Sequence, residues 1–261
     1  MLGILDVIRG EFGSSQANFL NGLQLAADVN HYEYMIANHF GLGGLYLELA
    51  APGRARVEAE RALQLAEELH SQAMIHCSAA VLAGAHFQLG DMTAAQFCLE
   101  KALSPDGLMD TIGKRYCWVR QIEIALARGN PGEGLEITER LIHTAPDLKP
   151  GQVIAYLWKL KADALVALDQ AEKALPLLSE GLQSAQKTGE VFLIWKLRAS
   201  LSKAYRKVGR KSEADHQQKQ AQAQILVLAD SITEGALKKQ FLQSAREKIT
   251  SSLQMEKQQE P

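Results

Sequence analysis

Aromatic residues make up only 6% of this 261-residue chain. Residues with β-branched side chains are also comparatively few, which removes the usual material of strands and sheets. Cysteine is scarce too: Cys77, Cys98 and Cys117 are odd in number and show no C-x-x-C spacing. That pattern argues against a disulfide framework or a zinc site, and it reads as packed, reduced thiols. No apolar run reaches the ~18 residues that could span a bilayer. Asp6, Arg9 and Glu11 interrupt the first dozen residues, so no signal-peptide apolar core is expected there and a cytoplasmic address is expected instead. Charge of one sign is also missing, since 28 Lys and Arg oppose 30 Asp and Glu for a formal net of −2. Nothing global therefore points to nucleic acid or a membrane surface as partner.

What is present is alanine and leucine, the bulk of a hydrophobic content of 47%. Both are strong helix formers, and small side chains let helices approach closely. The charge is also unevenly placed. Residues 1–150 carry 11 cations against 18 anions, and residues 151–261 carry 17 against 12, so polarity runs along the chain.

The strongest pattern is a repeat. A small residue, a residue four on, and one three further recur as Ser15/Phe19/Gly22, Ala55/Ala59/Ala62, Ala95/Leu99/Ala102, Gly134/Thr138/Leu141, Ala174/Leu178/Gly181 and Ala214/Gln218/Ala221. The step is 40 residues, once 39. Five positions upstream of each stands a turn residue: Gly10, Ala50, Gly90, Gly129, Asp169 and Gly209. Further upstream lie Gly3, Gly43, Ala83, Ala162 and Ser202, with Ile122 as the bulky exception. Each unit reads as helix A, turn, helix B, with small residues where A crosses B. In the fifth unit, Pro150 precedes helix A, and Pro176 is expected to bend helix B locally.

These segments resemble the tetratricopeptide family. Leu2-Gly3 and Leu42-Gly43-x-x-Tyr46 resemble its helix A signature, Gly90-Asp91 with Ala95, Leu99 and Ala102 its turn and helix B, and Pro146 its closing proline. The unit is longer than the family's usual one. In this it is similar to the C-terminal sensor or interaction arms of bacterial signalling ATPases and the maltose-regulon activator, a likeness carried by Ala62-Leu63-Gln64-Leu65-Ala66-Glu67-Glu68-Leu69 and by Ile232 to Ala245. The resemblance implies an all-α fold, an α-α superhelix of about six helical hairpins plus a C-terminal capping helix. The array is expected over residues 1–228, its first unit truncated. The capping helix is expected over 231–253, opened by a capping box at Ser231 and Glu234 and sealed by Leu237, Phe241, Ala245 and Ile249, with a polar tail at 254–261. At the other end Leu2, Ile4, Leu5 and Ile8 have no preceding helix to cover them. The chain is thus expected to continue a longer array or to pair through this end.

No catalytic or metal constellation stands out, and no cofactor is expected. Gly41-Leu42-Gly43-Gly44 lies inside a helical unit with no strand before it, so it reads as packing glycine. Gly113-Lys114-Arg115 lacks the spacing and the Ser or Thr of a phosphate loop. The seven histidines, His39, His76 and His86 among them, show no ligand spacing, and Glu67-Glu68 reads as a solvated face.

The resemblance places a binding groove on the concave side, lined by the A helices. Counting in register, the groove candidates are Phe40, Phe87, Tyr116, Glu123, Tyr156, Lys159, Lys196, Lys203, Arg206 and Lys207, with Asp163 and the small Gly44 and Gly84 beside them. Residues 196–211 hold seven cations and no acid, which reads either as a solvated face near an array end or as an end that accepts carboxylates, phosphates or an acidic partner segment. A carboxylate clamp of the family's chaperone-binding kind is not expected, because its Asn residues are absent. The expected function is a non-catalytic protein-interaction scaffold or a sensor arm in signal transduction. Alternatives are a receptor for an oligosaccharide or short peptide, with Phe40, Phe87, Tyr116 and Tyr156 stacking on it, and a freestanding assembly adaptor.

Overall fold

The computed structural model describes residues 2–103, 107–145 and 152–254, with side chains to Thr250. Among them are thirteen helices and no strand: α1 Leu2–Arg9, α2 Phe12–Asp28, α3 Tyr32–Glu48, α4 Pro52–Glu68, α5 Gln72–Gln88, α6 Met92–Ala102, α7 Ile112–Ala127, α8 Pro131–His143, α9 Ala155–Ala167, α10 Ala171–Thr188, α11 Val191–Lys207, α12 Lys211–Asp230 and α13 Gly235–Gln254. The first twelve pair as six antiparallel hairpins. Each odd-numbered helix is an A helix and contacts the A helix of the next hairpin, which makes an all-α superhelical solenoid. No helix among the described residues is long and apolar enough to cross a membrane. Pro146 and Pro150 lie outside the described residues, as do tail residues 255–261.

The turn chemistry explains the forty-residue beat. Gly10, Ala50, Gly90, Gly129, Asp169 and Gly209 all take positive φ, between 55° and 82°. This left-handed step lets the next amide reach back five residues and close the helix, as in Ala51 N–H to Tyr46 O and Asp91 N–H to His86 O at 2.8 and 2.9 Å. Asn30, His70 and Gly189 do the same between hairpins. Pro52 and Pro131 start α4 and α8, where a missing N–H costs nothing. Pro176 lies on the exposed side of the second turn of α10, and the helix continues through it to Thr188.

Side-chain size explains the crossings. Ala55, Ala95, Ala174 and Ala214 are wholly buried, as are Ala83 and Ala162 opposite them. A Cβ on Gly43 would stand 3.4 Å from Ala55 O. Hydroxyls stitch the first and last crossings in opposite senses, Ser15 donating to Gly3 O and Ser202 to Ala214 O, both at 2.8 Å. The Gly41–Gly44 run lies within α3, with Gly41 packed against the Phe19 ring.

The two ends of the solenoid meet. α1 contacts α11, Gly13 N–H donates to Ser231 O at 2.9 Å, and Phe12 N–H donates to Ser231 Oγ at 3.1 Å. Helix α13 then lies across the seam. Its stripe of Leu237, Phe241, Ala245 and Ile249 is buried in one core with Phe12, Tyr46 and Trp195. Phe241 meets Phe12 and Trp195 edge-on, with ring centroids 5.8 and 6.5 Å apart.

This seam corrects two details of the sequence reading. Ser231 does not open α13; it caps α12, and its hydroxyl donates to Gly10 O or Leu228 O. Glu234 does not reach back to Ser231 but forks onto Arg54, at 2.6 and 2.7 Å. Helix α12 runs to Asp230, and α13 begins at Gly235. A bidentate guanidinium outcompetes a single backbone amide for that carboxylate.

Candidate functional site

The A helices bring several of the expected groove residues together along the inner face of the superhelix. Phe40 of α3 and Tyr116 of α7 reach across α5 to a ring separation of 6.2 Å. Tyr156 of α9 donates its hydroxyl to Glu123 of α7, which also accepts from Arg120 at 2.6 Å. Lys159 and Asp163 pair one turn apart on α9 at 2.6 Å. Lys196 of α11 pairs with Glu48 of α3 at 2.5 Å, and its ammonium lies over the Phe192 ring.

Cations and anions thus alternate around the inner face, each with a partner. Burial would push the Glu123 carboxyl upward, but the Arg120 charge and the Tyr156 and Arg120 hydrogen bonds outweigh it and hold the group below its ordinary range. Burial, and then the Glu123 charge, drive the Tyr156 phenol well above its ordinary value. Burial alone would lower Arg120, yet Glu123 and Tyr156 leave it raised. The three settle as carboxylate, phenol and guanidinium, with no group poised to take or give a proton near neutral pH.

Other expected residues go elsewhere. Phe87 packs, half-buried, against the Ala83, Ala95 and Leu99 core of its own hairpin. Arg206 bonds Asp215 and Gln218 of α12, both at 2.7 Å. Lys207 pairs with Asp169 at 2.9 Å, and Arg210 with Glu213 at 2.8 Å. The cations of residues 196–211 therefore do not form one bare face; acids from other elements reach Lys196, Arg206 and Lys207, and Arg210 has a local one. Lys203, half-buried, makes no ion pair among the described residues.

Two inner-face residues escaped the sequence reading. Arg120 sits one turn from Glu123, and its room comes from Gly84, where a Cβ would be 3.1 Å from Arg120 Nε. Glu48 is the lone acid at the end of an apolar helix, a signal that could have marked it. A third contributor is Lys248 on α13. Although exposed, it is desolvated by the surrounding protein and repelled by Lys196, which together lower its pKa, while Glu48 and Glu123 act in the other direction.

Elsewhere, the residues of the rejected phosphate-loop motif do structural work. Gly113 packs against His76 and Ala73 of α5. Arg115 donates to Leu141 O at 2.5 Å and to Thr144 O at 3.2 Å, satisfying the end of α8. Among the described residues, no group of three His, Cys, Asp or Glu could hold a metal ion.

No family model and no curated protein sequence matches the chain. Two solved structures of nearly identical TPR-like repeats from a putative kinesin light chain of Podosopora anserina are similar to it, one of them a single-substitution variant. They align with TM-scores of 0.51 for the variant and 0.50 for the other, each at 19% identity over 73% of this chain and 94% of theirs. The fold is that of a TPR-like helical solenoid.

Proposed function

We propose that this chain is a non-catalytic protein-interaction scaffold that takes a partner segment on its inner, A-helix face, and that it serves as the sensor or interaction arm of a signalling or transcription regulator. The observation that carries the scaffold reading is the row of half-buried, sign-alternating side chains that four A helices contribute: Glu48, Arg120, Glu123, Lys159, Asp163 and Lys196. A segment laid along them exchanges partners with existing ion pairs and needs no new buried charge. Lys248 of α13 already shares that field. The regulator role rests on the resemblance of residues 62–69 and 232–245 to the sensor arms of signalling ATPases. Three free cysteines fit a reducing, cytoplasmic setting.

An acidic partner segment belongs to this reading. Lys203, without an ion pair among the described residues, is available to it, with Arg206 and Lys207 able to join by giving up Asp215 and Asp169.

The test is crosslinking capture by the full-length chain against variants Lys159→Glu and Lys203→Glu. Partners held by the wild type and lost by variants of equal melting temperature support the reading, and an acidic stretch at the crosslinked site supports the Lys203 assignment. Capture of the same set by all three chains overturns it. Partners that include no ATPase or DNA-binding protein would remove the regulator role.

A further inference from the structure

One stretch of the inner face is shaped as a step. Phe40 of α3 and Tyr116 of α7 meet across α5 with their ring planes tilted by 31°, and Tyr116 is 43% exposed, so the two rings make an apolar ledge. One turn further along the same two helices stand Gly44 and Arg120. A Cβ on Gly44 would meet nothing within 4 Å, and Gly84 of α5 leaves the room in which the Arg120 side chain lies. Beyond the ledge the floor thus lacks side chains, and a foreign backbone can come close. Arg120 donates Nη1–H to Glu123 at 2.6 Å, and its guanidinium makes no other hydrogen bond among the described residues. A guanidinium carries five N–H donors in a planar fork, and this side chain is 25% exposed, so one edge of the fork faces the groove unused. The charges nearby favour an anion. Arg120, Lys196 and Lys248 stand against Glu48 and Glu123, an excess of one cation, while Lys159 and Asp163 cancel each other.

We propose that this step recognises an extended partner segment in which an aliphatic residue and an aspartate or glutamate stand two positions apart. The aliphatic side chain rests on the Phe40–Tyr116 ledge, and the carboxylate takes the open edge of Arg120. The spacing follows from the geometry of helix and strand. Tyr116 and Arg120 are one helical turn apart, about 5.4 Å along the axis. Two residues of extended chain cover about 6.6 Å and point their side chains the same way, whereas adjacent residues point to opposite sides. A basic residue at the second position would set a cation against Arg120, and the two carboxylates near it are already taken, Glu123 by Arg120 and Tyr156 and Glu48 by Lys196. The inference rests on the scaffold reading above and adds what the bound segment must carry.

The test uses the full chain and end-blocked, fluorescent peptides of sequence Ser-Leu-Thr-Asp-Ser and its reverse, since the segment has two possible directions. Controls replace aspartate by asparagine, replace leucine by serine, or set leucine and aspartate side by side. Fluorescence anisotropy at low salt is expected to show the better of the two parent peptides binding roughly tenfold tighter than each control. Arg120→Lys keeps a charge beside Glu123 but loses the fork. It is expected to erase the preference for aspartate over asparagine and to leave that for leucine over serine, while Tyr116→Ala is expected to do the reverse. Gly44→Leu fills the space beyond the ledge without touching a neighbour, and is expected to keep its melting temperature and weaken the parent peptide by roughly tenfold. No binding, equal binding of parent and controls, or binding indifferent to Gly44→Leu overturns the proposal. Should that happen while partner capture by the full chain is still lost in Lys159→Glu and Lys203→Glu, the scaffold reading stands and only this recognition falls.

Discussion

Lys196 of α11 and Glu48 of α3 form a 2.5 Å ion pair between residues 148 positions apart. Both side chains are mostly withdrawn from water, at 18% and 22% exposure, so the pair is screened less than a surface bridge. It joins the second hairpin directly to the sixth. Lys196→Glu and Glu48→Lys alone are each expected to cost about 1–3 kcal/mol, because a like charge then faces a half-buried partner. The exchanged pair is expected to recover most of that loss in a urea-denaturation double-mutant cycle. Strictly additive losses would show that the two hairpins are not coupled through this contact.

The seam between the ends depends on close backbone approach. A Cβ on Gly13 would stand 2.4 Å from Ser231 O, a backbone atom that has no rotamer to retreat into. Gly13→Ala is therefore expected to part the seam, and amide exchange should accelerate in α13 before the middle hairpins. Gly44 has nothing within 4 Å of its Cβ position. Gly44→Ala serves as the control and is expected to be neutral or to stabilise by about 0.5–1 kcal/mol through helix propensity. Equal exchange rates in α13 for both variants would dissociate Gly13 from closure.

The forty-step pattern was legible because the constraints behind it are local. Positive φ at the turns and small side chains at the crossings act within one hairpin, and each leaves a mark on sequence. Even the exception is local: Ile122 is bulky, and Gly134 opposite it gives the space back, with its Cβ position 3.7 Å from Ile122 Cγ2. Closure was not legible, because it depends on the small rotation accumulated over six hairpins. For the same reason the cations from Lys196 onward read as a bare stripe. Their partners Glu48, Asp169 and Asp215 come from three other helices or turns, and no run of neighbouring residues announces them. Ser231 and Glu234 had a capping-box spacing, but Gly10, Phe12 and Arg54 arrive only once the ends meet.

Burial at the third and fourth hairpins sets the order of thiol reactivity. It pushes the Cys77 thiol from an ordinary value of 9.0 to about 11 and Cys117 to about 12, and it raises the half-buried Cys98 as well. Labelling by an aromatic disulfide at pH 8 is expected to reach Cys98 first and the other two only on unfolding. These pKa values rise on folding, so the associated stability is complete below pH 9 and is lost as pH climbs through 11 and 12. Rapid labelling of Cys117 in the folded chain would contradict its burial.

The Arg120–Glu123–Tyr156 cluster gives stability a pH dependence at both ends of the scale. Glu123 has its pKa lowered on folding, so its contribution is present above the unfolded value of about 4.3 and fades as pH falls through the folded one. Tyr156 is raised on folding, so its contribution is present below about pH 10 and fades above it. Tyr156→Phe should cost about 1 kcal/mol at pH 7 and remove its part of the alkaline limb, and it should also make the acid limb shallower because Glu123 loses a hydrogen bond. Glu123→Gln should cost about 3 kcal/mol, because it strands the Arg120 guanidinium among the A helices, and should flatten the acid limb. Melting curves from pH 3 to 11 would separate the two effects. An acid limb unchanged by Glu123→Gln would mean that another carboxylate carries it, and Glu48 and Asp163, the other paired inner-face acids, would be the next to substitute.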